Sequence, residues 1–209
     1  MNNLVQEAIQ VWFDGGWAMY LLAIDALILF AVGLNLWLYL RVRIGGGVAE
    51  SRWKRWIESP HERRGHVGEV IDFVMGATSL DDLSVRFNEL HTTEVAPIKR
   101  DLRFMKRAVS AAPLLGLLGT VTGMLTTFGA LASGSGGEKT MGLVASGISE
   151  ALITTETGLV IALPGLFFQF HLSRERERYE AFLVRLESRC SQYLFRVLKE
   201  KRARTGEAA

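Results

Sequence analysis

Positive charge is missing from the first forty residues: no Lys or Arg precedes Arg41. A secretory signal needs a basic segment ahead of its apolar run, so the first apolar run is expected to be a retained span and not a cleaved leader. Cysteine is nearly absent. Cys190 stands alone, so no disulfide can form within the chain. It is read as an apolar packing residue in a compartment where thiols stay reduced. Metal-ligating and nucleophilic constellations are absent too. His61, His66, His91 and His171 are scattered. His61 and His66, five apart, do not share a helical face, and all four histidines are read as solvated. SGSGG at 133–137 follows no strand pattern, which excludes a phosphate loop. A net charge of +2 gives no footprint for nucleic acid. No enzyme chemistry, metal or cofactor is expected.

What the chain does have is segregation. Hydrophobic residues make up 49% and charged residues 22%, and the two classes occupy different stretches. Three runs are long and apolar enough for a bilayer core of about 30 Å. They are 17–40, with Asp25 its one charge; 109–132, with none; and 142–172, which carries Glu150 and Glu156. The expected fold is an all-α membrane protein. It has three spans, long cytoplasmic helical extensions and a helical cytoplasmic loop.

The basic residues set its sidedness. Thirteen of the 24 Lys and Arg fall in 41–108, one is Lys139, and ten follow residue 172. Basic segments stay cytoplasmic. The 41–108 loop and the 173–209 tail are therefore expected inside, and the N-terminus and the 133–141 connector outside. Residues 1–16 place Leu4, Val5, Ala8, Ile9, Trp12 and Phe13 at helical spacing. They predict an external amphipathic helix at the membrane surface, ended by Gly15 and Gly16. The glycines at 45–47 should break the chain after the first span. Helices are expected over 48–57, 64–78 and 80–90, and 93–107 should run straight into the second span. The tail places Leu172, Tyr179, Leu186, Cys190, Tyr193 and Val197 on one stripe that should pack on the 48–108 helices. Basic residues beside the membrane also suit anionic lipid.

Polar groups inside the spans need a reason. Gly116, Thr120, Gly123 and Thr127 form one small stripe in the second span. Gly147, Ala151, Thr154, Thr155, Gly158, Ala162 and Gly165 form another in the third. Glycines allow close helix approach, and Gly116, Gly123, Gly158 and Gly165 are read that way. The stripes are expected to face a partner or a neighbouring protomer. Carboxylates are a different matter, because a charge at mid-bilayer costs about 2.5–3.5 kcal/mol on insertion scales. Glu150 should side with Thr154 and Thr157, while Glu156 points elsewhere. Intramembrane acids are candidates for an ion pathway or a helix contact, and Asp25 suits an interhelix hydrogen bond as well as transport.

Two motifs carry a resemblance. APLLGLLGTVTGMLTTF at 112–128 and ASGISEALITTETGLVIALPG at 145–165 resemble the second- and third-span signatures of the ExbB/TolQ proteins, relatives of the flagellar stator protein MotA. GGWAMYLL at 15–22 matches more weakly. The resemblance implies a ring subunit, generally a homo-pentamer, in the bacterial inner membrane. The ring would surround the spans of an ExbD/TolR-like dimer, use proton flow, and pass motion to a TonB-like protein. It places the family's polar pathway residues on Thr120, Glu150 and Thr155. Thr154, Glu156, Thr127 and Asp25 would be accessory. Thr154 and Glu156 stand where the family commonly has small apolar residues, and Asp25 is outside its usual pattern. These departures leave open a sodium-driven or surface-motility motor, or a structural scaffold.

Overall fold

The computed structural model describes residue 6 and residues 11–43, 50–132 and 137–205. Among them there are helices and turns and no strand. The helices are α1 (Ala18–Arg43), α2 (Glu50–Glu58), a 3-10 turn (Pro60–Glu62), α3 (Gly65–Met75) and α4 (Leu80–Leu90). A π segment (His91–Val95), α5 (Ala96–Ala132) and α6 (Glu138–Thr205) complete the order. Three helical runs are long and apolar enough to cross a membrane: Ala18–Arg43, Leu80–Ala132 and Glu138–Lys201. The protein is an all-α membrane protein, as the segregated apolar runs imply. Val11–Asp14 is helical and Gly16 turns with φ 63°, but Leu4, Val5, Ala8 and Ile9 of the expected surface helix lie outside the described residues. So do the glycines at 45–47 and residues 133–136 of the connector.

The chain divides into two units. The first is Met1–Gly33 with Arg103–Phe170. Where α5 meets α6 its interior is made of small residues. Ala112, Gly116, Gly119, Gly123, Thr127 and Ala130 are the buried line of α5. Gly147, Ala151, Thr154, Gly158, Ala162 and Gly165 are that of α6. The two lines pack on each other. A methyl on Gly158 would lie 2.7 Å from the Ala112 carbonyl oxygen, and one on Gly116 would lie 2.9 Å from that of Thr154. The expectation that these stripes face a partner is therefore corrected. Backbones this close gain dispersion contacts that lipid tails cannot supply, so the seam is satisfied within the chain. The α5 line also differs from the expected stripe, because Gly119 and not Thr120 is on it. At the end of the α6 line Leu29 of α1 reaches Gly165, where a methyl would come within 2.8 Å of its Cδ2. Pro113 and Pro164 sit inside α5 and α6. Such interior prolines are tolerated in membrane helices, where neighbouring groups re-satisfy the freed backbone.

The second unit is Leu34–Leu102 with His171–Ala209. Its core is conventional: Trp53, Ile57, Val70, Ile71, Val74, Leu83, Phe87, Val95 and Ile98 are buried. The tail of α6 supplies Leu172, Tyr179, Leu183, Leu186, Cys190 and Leu194. Trp53 meets Phe182 edge-on, with ring centroids 5.8 Å apart. The tail stripe does pack on the 48–108 helices, but it includes Leu183 and Leu194, while Val197 is exposed. Arg63 closes α2 by donating to the carbonyls of Trp56 (2.7 Å) and Ile57 (3.2 Å) and pairing with Asp72. These are two of the last-turn carbonyls that a helix leaves without partners. At α4, Ser79 accepts from the Asp82 N–H at 3.0 Å, and Asp82 accepts from the Thr78 N–H at 2.9 Å. That backbone bond from Thr78 holds the Asp82 carboxyl below the usual carboxylate range.

Candidate functional site: the threonine seam

The seam between α5 and α6 gathers most of the polar residues singled out above. Thr154 is fully buried, and its side chain faces Gly119, where a methyl would lie 2.8 Å from Thr154 Cγ2. Thr127 is buried against Gly147. Thr155, half-buried, donates to the Gly116 carbonyl across the seam at 3.3 Å and to Ala151 at 3.1 Å within α6. Thr120, also half-buried, donates to the Leu117 carbonyl at 2.7 Å. The two helices run antiparallel and each turns about 100° per residue. Thr120 and Thr155 each lie roughly 60–70° off the seam centre and fall on the same flank.

The hydroxyls share a chemical state. Thr122, Thr126, Thr127, Thr154 and Thr157 also donate to carbonyls three or four residues back. Their protons are committed, and the oxygen lone pairs remain as acceptors. An acceptor-lined flank can solvate a proton-carrying group or a hard cation.

Glu150 is elsewhere. It is half-buried on the opposite flank, and its carboxyl lies against Gly16. Thr154 and Thr157 lie to the same side of α6 as Glu150. Thr154 donates to the Glu150 backbone carbonyl at 2.9 Å, and Thr157 to that of Ile153 at 2.8 Å. Back-bonding of this kind commits the hydroxyl protons to the helix's own carbonyls. Glu156 lies roughly 160° from the seam centre. It is exposed, between the exposed Leu152, Val160 and Leu163. Asp25 is half-buried in α1, and its Oδ2 is shielded without a hydrogen-bond partner among the described residues. Gly116, Gly123 and Gly158 stand in the seam, and Gly165 stands where α1, α5 and α6 meet. No group of three or more His, Cys, Asp or Glu among the described residues is placed to hold a metal.

One cluster escaped the sequence reading. Glu94 is 7% exposed in the second unit, ringed by Arg43, His66 and Tyr179. His66 is therefore not a solvated histidine: its side chain is 15% exposed. The only sequence signal was an acid within an otherwise apolar-faced helical stretch, and the three partners come from distant segments.

Comparison with known proteins agrees with this architecture. The chain is 41% identical over 91 residues to an ExbB-like biopolymer transport protein of Synechocystis sp., covering 43% of this chain and 36% of the relative. It is 36% identical over 80 residues to the Tol-Pal system protein TolQ of Haemophilus influenzae, covering 38% and 34%. An ExbB homologue of Methanothermobacter thermautotrophicus is 28% identical over 174 residues, 77% of this chain and 61% of the relative. The first two matches thus span about a third of those relatives' length. Residues 69–183, which include the second and third spans and the whole seam, match the family's profile, and on that match the chain belongs to the MotA/TolQ/ExbB proton channel family.

Proposed function

We propose that this chain is an ExbB-like ring subunit of a proton-driven motor in the bacterial inner membrane. Its N-terminus is periplasmic and its C-terminus cytoplasmic. It forms a homo-oligomer, a pentamer, around an ExbD/TolR-like single-span dimer, and it energises TonB-type transport across the outer membrane. Thr120 and Thr155 line the proton path, and Glu150 sets the outer access through its seat on the N-terminal turn. Thr154 and Thr127 hold the seam that positions them. The observation that carries this reading is the shared flank of Thr120 and Thr155, with Thr155 bonded across the seam to Gly116 at 3.3 Å. Intramembrane polar groups are expensive and mark ion routes by default.

The test is Thr155→Ala. Energy-dependent uptake should be lost while the complex still assembles with its single-span partner. Unaltered uptake would sink the proposal. Two other readings have their own observations. The TolQ relative at 36% identity favours a Tol-type output in place of a TonB-type one. Acceptor oxygens along one flank suit sodium as well as protons, as a surface-motility motor could use. Exchanging sodium for potassium at constant proton gradient separates the ions. A pure scaffold predicts that Thr120→Val and Glu150→Gln leave transduction intact.

A further inference from the structure

The Glu94 cluster in the second unit belongs to none of this, and it has the makings of a switch. Arg43, at the end of α1, donates from Nη1 to Glu94 Oε1 at 2.6 Å. The same nitrogen lies 2.8 Å from His66 Nε2 and 3.2 Å from Nδ1. His66, in the first turn of α3, has Nε2 3.1 Å from Glu94 Oε1 and 3.2 Å from Oε2. Its Nδ1 lies 3.5 Å from Glu69 Oε2 on its own helix. Tyr179 of α6 donates to Glu94 Oε2. The Tyr39 ring of α1 lies 4.9 Å beneath the Arg43 guanidinium.

A nitrogen 2.8 Å and 3.2 Å from the two ring nitrogens lies off both in-plane lone pairs, so Arg43 meets the imidazole at its face. Neutral His66 admits that approach. Protonation makes both ring nitrogens donors and sets two cations inside 3 Å, where they repel and compete for Glu94. The imidazolium already lies within reach of both Glu94 oxygens and of Glu69, so it keeps the carboxylates. Arg43 has somewhere to go, over Tyr39 and toward water, since its side chain is 29% exposed. Histidine is the side chain whose ordinary charge change falls between pH 5 and 8.

We propose that Arg43, His66, Glu94 and Tyr179 form a proton-operated latch: neutral His66 lets Arg43 tie the end of α1 to Glu94, and protonated His66 takes Glu94 and releases Arg43. The titratable and charged groups of the cluster are Arg43 and Tyr39 on α1, His66 and Glu69 on α3, Glu94 on the π segment and Tyr179 on α6. Tyr179 stays a donor to Glu94 in both states, so release of α1 leaves α6 attached.

The experiment uses the full chain in lipid nanodiscs with Cys190→Ala and spin labels at Leu38 of α1 and Val85 of α4, both exposed. The distance between labels is measured at pH 7.5 and pH 5.5. Acidification should displace the distance peak, and His66→Gln, which keeps an acceptor for Arg43 but cannot become a cation, should abolish the displacement. Arg43→Gln should abolish it as well, which protects the test if one variant folds poorly. A pH-independent distance in the parent chain, or the same displacement in both variants, overturns the latch.

Discussion

Gly16 lies directly under the carboxyl of Glu150. Its φ of 63° is in the left-handed region, and a methyl there would overlap the Glu150 carboxylate. The turn that begins α1 and the one acid of α6 facing it are thus a single packing unit.

Gly16→Ala should therefore be penalised twice. The left-handed backbone alone costs a non-glycine residue about 1–2 kcal/mol. The methyl must also push Glu150 off the turn. Thermal unfolding in detergent should show the loss, and proton flux in liposomes should fall with it. Gly129→Ala is the control, because a methyl there meets nothing within 4 Å.

Gly119→Val tests the seam. Its Cβ would enter the space of the Thr154 side chain, and Thr154 is fully buried, with no solvent into which it could retreat. Overpacking a well-filled interior costs about 1–3 kcal/mol. A lowered unfolding midpoint is expected, with partial rescue by Thr154→Ala, which vacates the volume.

Among the described residues Glu156 has no hydrogen-bond partner, and it sits on an apolar exposed face. Glu156→Leu should leave the unfolding of the isolated chain within about 0.5 kcal/mol, as for surface changes away from special features. If lipid bathed this face, a charged residue there would cost about 2.5–3.5 kcal/mol, so its natural cover is protein or water. The variant should therefore lower assembly or flux. Native mass spectrometry of the complex and liposome flux read both effects.

Tyr179 carries an alkaline signature. Burial first, then its bond to Glu94, raises its phenol above the ordinary tyrosine value. A raised folded value means stability that is present below about pH 10 and lost as pH climbs further. Cys190 adds to the same limb, since burial pushes its thiol up to about 12. Tyr179→Phe should flatten the alkaline loss. At neutral pH it should cost about 1.5–3 kcal/mol, the worth of a hydrogen bond to a charged group. Denaturant titrations between pH 7 and 11 check both.

The legible part of this protein was whatever period and composition express. The helix expected over 80–90 forms as Leu80–Leu90, and Ser79 caps it by accepting from the Asp82 N–H. The seam glycines were readable because small residues recur every three or four positions. Which small residue faced inward was not. Thr120 and Gly119 are neighbours, and one helical position is within the freedom of the helix to rotate. The error that mattered more was one of partnership. A small stripe states that something approaches closely, and in this chain α5 and α6 approach each other.

By itself the sequence determined the all-α class and the three apolar helical runs, because charge segregation and run length follow directly from the cost of exposing backbone and charge to lipid. Only the tertiary structure decided that Thr120 and Thr155 share a flank opposite Glu150. It alone brought Arg43, His66 and Tyr179 around Glu94, because contacts between residues as far apart as Glu94 and Tyr179 depend on how helices rotate and pair, and periodicity within one helix carries no information about that.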